Sequence, residues 1–141
     1  YLNSGNVIFS SADKNVTALI DQVERMMQRE LGLDIPVFII PQEELADILR
    51  HAPDWWGTEN KGNYDNLIFI LPPATFPDIY YEIGAPKEGL EQIQEYQSAV
   101  FWSFSRKDYQ KTNWWSKTAR ADIGSKLTIR TANTVRRIVD I

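Results

Sequence analysis

The closing stretch SKLTIRTANTVRRIVDI (125–141) places Lys126, Thr128, Arg130, Asn133 and Thr134 within nine residues. Cations, hydroxyls and side-chain amides at this density are the residue types that hold anions. In an extended strand residues 126, 128 and 130 share one face, so two cations and a hydroxyl would address the same space. Asn133 and Thr134 fall where a final helix begins, and the unpaired N–H groups of a helix start, with its dipole, favour negative charge. The chemistry implied is binding of a small anionic ligand, a phosphate compound or nucleotide, with Lys117 of the preceding helix as a further cation. The plainer alternative is that Asn133 or Thr131 only caps the helix and the cations are solvated. Ser4-Gly5-Asn6 is a tight-turn signal. Placed near Lys126 and Arg130, that loop would complete a polar cleft between two halves of the chain.

Other chemistries find less material. With no cysteine, disulfides, thiol catalysis and thiolate metal sites are excluded. The single histidine, His51, ends a short helix, where the dipole favours its charged form; its reading is structural. Asp47, Asp54 and Glu59 have no spacing that demands a magnesium ion, so neither a metal nor a cofactor is expected. No G-x-S-x-G elbow occurs. Ser116-Lys117 and Ser125-Lys126 would need a lysine kept neutral by burial, and neighbours on a strand point to opposite faces. No recognisable catalytic constellation results.

The elements that must position these residues follow from periodicity. NVIFS (6–10) reads as a strand after a turn at Gly5. Apolar residues at 16, 19, 20, 23, 27 and 31 have helical spacing, with Ser11 or Asp13 as the cap and Gly32 as the stop. IPVFII (35–40) reads as a buried strand, and PQEELADILRHA (41–52) as a short helix. A turn-rich loop (53–65) precedes NLIFIL (66–71), the clearest core strand. Thr75 caps a helix that ends at Gly84. Residues 91–105 form a hairpin turning near Gln97-Ser98, 113–121 a helix, LTIRT (127–131) a last strand, and a last helix follows. In each of the pairs Trp55-Trp56 and Trp114-Trp115 one ring packs inward while the other covers an edge or lines a cleft.

From Asn66 the order is βαββαβ, the ferredoxin-like split βαβ unit of an α+β protein. Residues 53–141 make this complete C-terminal half, and residues 1–52 a partial N-terminal half of strand, helix and strand that reads as lacking an upstream strand and helix. At 141 residues, 43% hydrophobic and 24% charged, the chain has an ordinary globular balance. No apolar run approaches the roughly 20 residues of a membrane span, and no signal peptide pattern is seen; a cytoplasmic location and no membrane partner are expected. The net charge of −4 is uneven. Residues 1–105 carry six Lys/Arg against sixteen Asp/Glu (−10), and residues 106–141 carry nine against three (+6).

YLNSGNVIFSS, IPVFII with EELADIL, APDWWG, NLIFILPP and SKLTIRTANTV together resemble the bacterial family catalogued as domain of unknown function 1697, across essentially the whole chain. The resemblance implies two α+β halves of ferredoxin-like type, an upstream strand, loop and helix, and no established activity. Many members carry Arg-Asn-Trp-Asn-Thr before the last helix; here the positions read Arg130, Thr131, Ala132, Asn133 and Thr134, so the tryptophan is missing. Three functions are carried forward. The first is an anion-binding protein using Lys126, Thr128, Arg130, Asn133 and Thr134. The second is a nucleic-acid-binding module using the same basic stretch with Tyr96, Phe101 and Trp102. The third is an interaction or assembly domain, including a homo-oligomer, with an open sheet edge.

Overall fold

The computed structural model describes residues 5–12 and 15–141. Its centre is β1 (Asn63–Ile70), where Leu67, Ile68, Phe69 and Ile70 are buried in succession. Successive strand residues point to opposite faces, so an unbroken apolar run requires cover on both. β3 (Ala99–Ser105) makes the same demand, with six consecutive buried residues. The two strands pair antiparallel in the middle of a sheet of order β2-β3-β1-β4, flanked by β2 (Glu91–Tyr96) and β4 (Leu127–Thr131).

Helices supply the cover. Ile79 and Ile83 of α3 (Phe76–Ile83), Trp114 of α4 (Trp114–Thr118) and Ile123 of α5 (Ala121–Gly124) pack on Ile68, Ile70, Val100 and Trp102. On the other face Leu45 and Ile48 of α2 (Gln42–Arg50) and Val135 of α6 (Ala132–Val139) join Trp56 over Leu67, Phe69 and Phe101. Residues before and after position 52 thus share one core layer. The chain is α+β, and from β1 to β4 its elements run β1, α3, β2, β3, a 3-10 turn, α4, α5 and β4, so that more than one helix stands where the expected βαββαβ order has one.

Local chemistry sets the boundaries. Thr75 caps α3 in a reciprocal box with Asp78. Gln97 and Ser98, the expected hairpin turn, both have positive φ (51° and 66°), as a two-residue turn between twisted strands requires. The loop before β1 is pinned by Arg136, which lies over the Trp56 ring and donates to the Gly57 carbonyl at 2.8 Å. A Cβ on Gly57 would meet Arg136 Nη2 at 2.1 Å, so this contact needs glycine. The tryptophan pairs divide as expected: Trp56 and Trp114 are buried, while Trp55 is half-buried and Trp115 is exposed.

Four expectations are corrected. Residues 6–10 and 35–40 are not strands, because among the described residues no strand is placed to pair with them. Phe38 instead stacks on Phe69 at 5.0 Å, and Ile40 joins the same layer. The helix expected over 113–121 is two short ones. Trp114 and Ile123 are nine residues apart and would face opposite ways on one continuous helix; the break at Ala119–Arg120 turns both into one core. The cap of α1 (Val16–Leu31) is Asn15, whose side chain accepts from Ala18 N. Ser11 lies too far upstream to serve, and Asp13, the other candidate, lies outside the described residues.

One buried carboxylate ties the sheet to the α4 side of this structure. Glu91 is 5% exposed. It accepts from Lys87 N (2.9 Å), Trp102 Nε1 (3.2 Å), Trp114 N (3.2 Å) and Asn113 N. Four donors from a turn, a central strand and a helix start thereby satisfy one charge. Glu91→Gln replaces one acceptor oxygen with a donor and orphans buried N–H groups. Chemical denaturation is expected to show a loss of about 2–4 kcal/mol; a change within about 0.5 kcal/mol would mean the network does not hold the fold.

Candidate functional site

Arg130 sits opposite Leu67 in the β4–β1 register, and Thr128 opposite Phe69. Directly paired residues share a sheet face, so both side chains lie on the face that α2 and α6 cover. Arg130 Nε donates to Asn6 Oδ1 at 2.8 Å, and Nη1 donates to Thr128 Oγ1 (2.8 Å) and the Ile129 carbonyl (2.9 Å). All three acceptors are neutral. Burial lowers the pKa of the guanidinium from its ordinary value, yet an arginine stays protonated in proteins. Among the described residues no carboxylate lies within ion-pair distance of it. The Gly5–Asn6 loop thus reaches Arg130, with Gly5 at φ +73° forming the turn; Ser4 lies outside the described residues.

The other expected members divide. Thr131 is the cap of α6, accepting from Thr134 N at 3.3 Å and donating to Thr134 Oγ1 at 3.0 Å. Asn133 is exposed in the first turn and is not the cap. Lys126 does not share a site with Arg130, a correction to the expected common face. It precedes β4, and its Nζ reaches Glu82 of α3 at 2.8 Å. That bond, first, raises the lysine's pKa, which removes the neutral amine a Ser-Lys nucleophile would need. Lys117 is also engaged elsewhere, donating to the Ile83 carbonyl (3.0 Å) and Asn113 Oδ1 (2.7 Å). Asn113 in turn donates to the carbonyls of Ile83 and Ala85, and Trp114 Nε1 to that of Gly84. NWWSK (113–117) is therefore a latch on the end of α3, legible beforehand only as polar residues beside tryptophans.

The aromatics considered for base stacking are core. Phe101 and Trp102 are 0% and 2% exposed. Tyr96 stacks on His51 at 4.2 Å and donates to Asp47 Oδ2 at 2.8 Å. His51 Nδ1 faces the Asp47 carbonyl at 2.8 Å and, since a carbonyl can only accept, donates to it. His51 is thereby structural, tying the end of α2 to the hairpin. No group of three metal-ligating side chains occurs among the described residues.

A family model, "Protein of unknown function (DUF1697)", matches residues 1–101. The chain belongs to this family. The match stops short of β4 and α6, so the closing segment with Arg130 lies outside the DUF1697 region. The fold itself extends further: "conserved bacterial protein SP0830 from Streptococcus pneumoniae" is similar in structure, with a TM-score of 0.82 at 21% identity over 99% of this chain and 77% of that one. No curated protein matches. No helix among the described residues is long and apolar enough to cross a membrane.

The Tyr96 hydroxyl is the largest influence holding the Asp47 carboxyl below its ordinary pKa, with His51 and Arg50 assisting, and the same bond raises the Tyr96 pKa. A depressed carboxyl contributes stability above its unfolded-state pKa and loses it as pH falls through the folded one. In a carboxyl-carbon NMR titration Tyr96→Phe is expected to move the Asp47 midpoint up toward the ordinary value of 3.8. An unmoved midpoint would show that the hydroxyl does not bond the carboxylate.

Proposed function

We propose that this member of an uncharacterised family binds a small anion, a phosphate compound or nucleotide, at the junction of β4 and α6. The observation that carries the reading is the Arg130 guanidinium, partly buried and, among the described residues, held by neutral acceptors. Several other cations meet carboxylates: Lys126 with Glu82, Arg120 with Asp122, Arg25 with Asp21. A desolvated, permanently charged guanidinium without a counter-ion gains most from an anion, and its fork suits phosphate. Thr128 and Asn6 hold the fork in place. Asn133 and Thr134 offer the start of α6 as the second arm, where the helix dipole adds to the attraction. Lys126 belongs to the proposal only as a control.

Thermal denaturation against inorganic phosphate and a panel of nucleotides tests it. At least one anion is expected to raise Tm by several degrees at saturating concentration. Arg130→Gln abolishes that rise, and Lys126→Gln retains it. No anion-dependent rise, or a rise indifferent to Arg130→Gln, contradicts the proposal.

A second reading, an assembly domain, is favoured by apolar exposure concentrated before residue 36: Val7 is 80% exposed, Leu31 64% and Phe9 48%. Light scattering over a concentration series is expected to show self-association under this reading. A strictly monomeric protein would remove it.

A further inference from the structure

We propose a second site, on the opposite side of the sheet from Arg130, that stacks a base of single-stranded nucleic acid and holds its phosphates. α3, α4 and α5 leave one part of their face uncovered. There Phe104, Trp102 and Ile129 floor a hollow of about 300 Å³, and Trp115 walls it. Trp115 stands 39% exposed on the outer side of α4 and is braced edge-on by Tyr109 at 4.7 Å between ring centres. Tyr64, also 39% exposed, leans on Phe104 at 5.3 Å. One braced ring with free surface, Trp115, therefore borders a recess with a largely apolar floor, and a second, Tyr64, packs on the Phe104 of that floor.

Cations stand beside it. Arg106 lies over the Tyr64 ring at 4.1 Å, and Lys107 follows it, exposed. Neither has a carboxylate within ion-pair distance among the described residues, whereas neighbouring Lys111 pairs with Asp108. Between residues 106 and 122 five cations stand against two carboxylates, which pair with Lys111 and Arg120, in a chain that is acidic overall. The protein thus concentrates positive charge where its exposed rings are, which matches a ligand with planar rings strung on phosphates. Stacking on an aromatic side chain accepts any base, and cations track the backbone; sequence-independent binding of a single strand follows. Duplex is disfavoured, because its bases are not free to enter a recess beside an exposed ring.

The site is separate from the proposed anion site. Trp102 and Phe104 belong to the layer under α3 and α4, while Arg130 pairs with Leu67 in the layer under α2 and α6. Fluorescence anisotropy of a labelled twelve-residue oligothymidylate, titrated with the full chain, tests the proposal. Affinity is expected to fall about sevenfold between roughly 50 and 200 mM salt, as two phosphate contacts require. Trp115→Ala weakens binding about tenfold and Trp115→Phe, which keeps a ring, by much less. Arg106→Gln with Lys107→Gln removes most of the salt dependence, and Lys126→Gln, at a cation outside both sites, changes nothing. No anisotropy change up to about 100 μM protein, or binding indifferent to both Trp115→Ala and the paired Arg106 and Lys107 changes, overturns it.

Discussion

The sheet of this protein must be covered on both faces, and most other features follow from that requirement. Leu67 and Phe69 point one way and Ile68 and Ile70 the other, and all four are at most 5% exposed. At roughly 25 cal/mol for each Å² of apolar surface removed from water, exposing either set would cost several kcal/mol. Neither layer is therefore optional. α2 is recruited to the C-terminal sheet although it precedes β1 by a long loop. α6 must fold back over β1 immediately after β4. The aromatic residues of β3 are consumed as core, which reduces the broad open sheet face that a base-stacking ferredoxin-like module uses to the hollow beside Trp115.

The same constraint explains the character of Arg130. β4 is an edge strand, but its neighbour β1 is buried over Leu67–Ile70. A residue opposite Leu67 is drawn under the layer formed by α6 and the 37–40 segment, and here that residue is an arginine. Its charge is then desolvated without an acidic partner, and the Asn6 and Thr128 oxygens only partly replace water. Lys126, one step before the strand, escapes this layer and finds Glu82. Two cations four residues apart thus have opposite fates, decided by which layer each side chain enters.

Much of this was legible in the chain. The 66–71 run, the Thr75 cap, the Gln97-Ser98 turn and the strand-to-helix handover at Thr131 each rest on local chemistry, and each is found. NVIFS and IPVFII have strand-like composition, but a strand also needs a partner, and composition carries no information about that. The split of 113–121 was hidden because it arises from a tertiary demand, the burial of Trp114 and Ile123 in one core. Glu91 was illegible for a related reason. A lone glutamate at a strand start looks solvated until a turn, an indole and a helix start are folded around it. Of the candidate site, Arg130 and Thr128 come together, and the Gly5–Asn6 loop joins Arg130, a proximity that its turn signal did not itself carry. Lys126 and Lys117 depart because ion pairing and carbonyl capture are set by residues far away in sequence.

The account stands on Arg130 as an anion's partner. An NMR titration of the protein with inorganic phosphate reads this most directly through the Arg130 Nε–H signal and the backbone amides of residues 131–134. The account predicts that these signals move together and saturate, while that of Lys126 stays in place. Signals at 130–134 that remain still while others shift, or that never saturate, would contradict it.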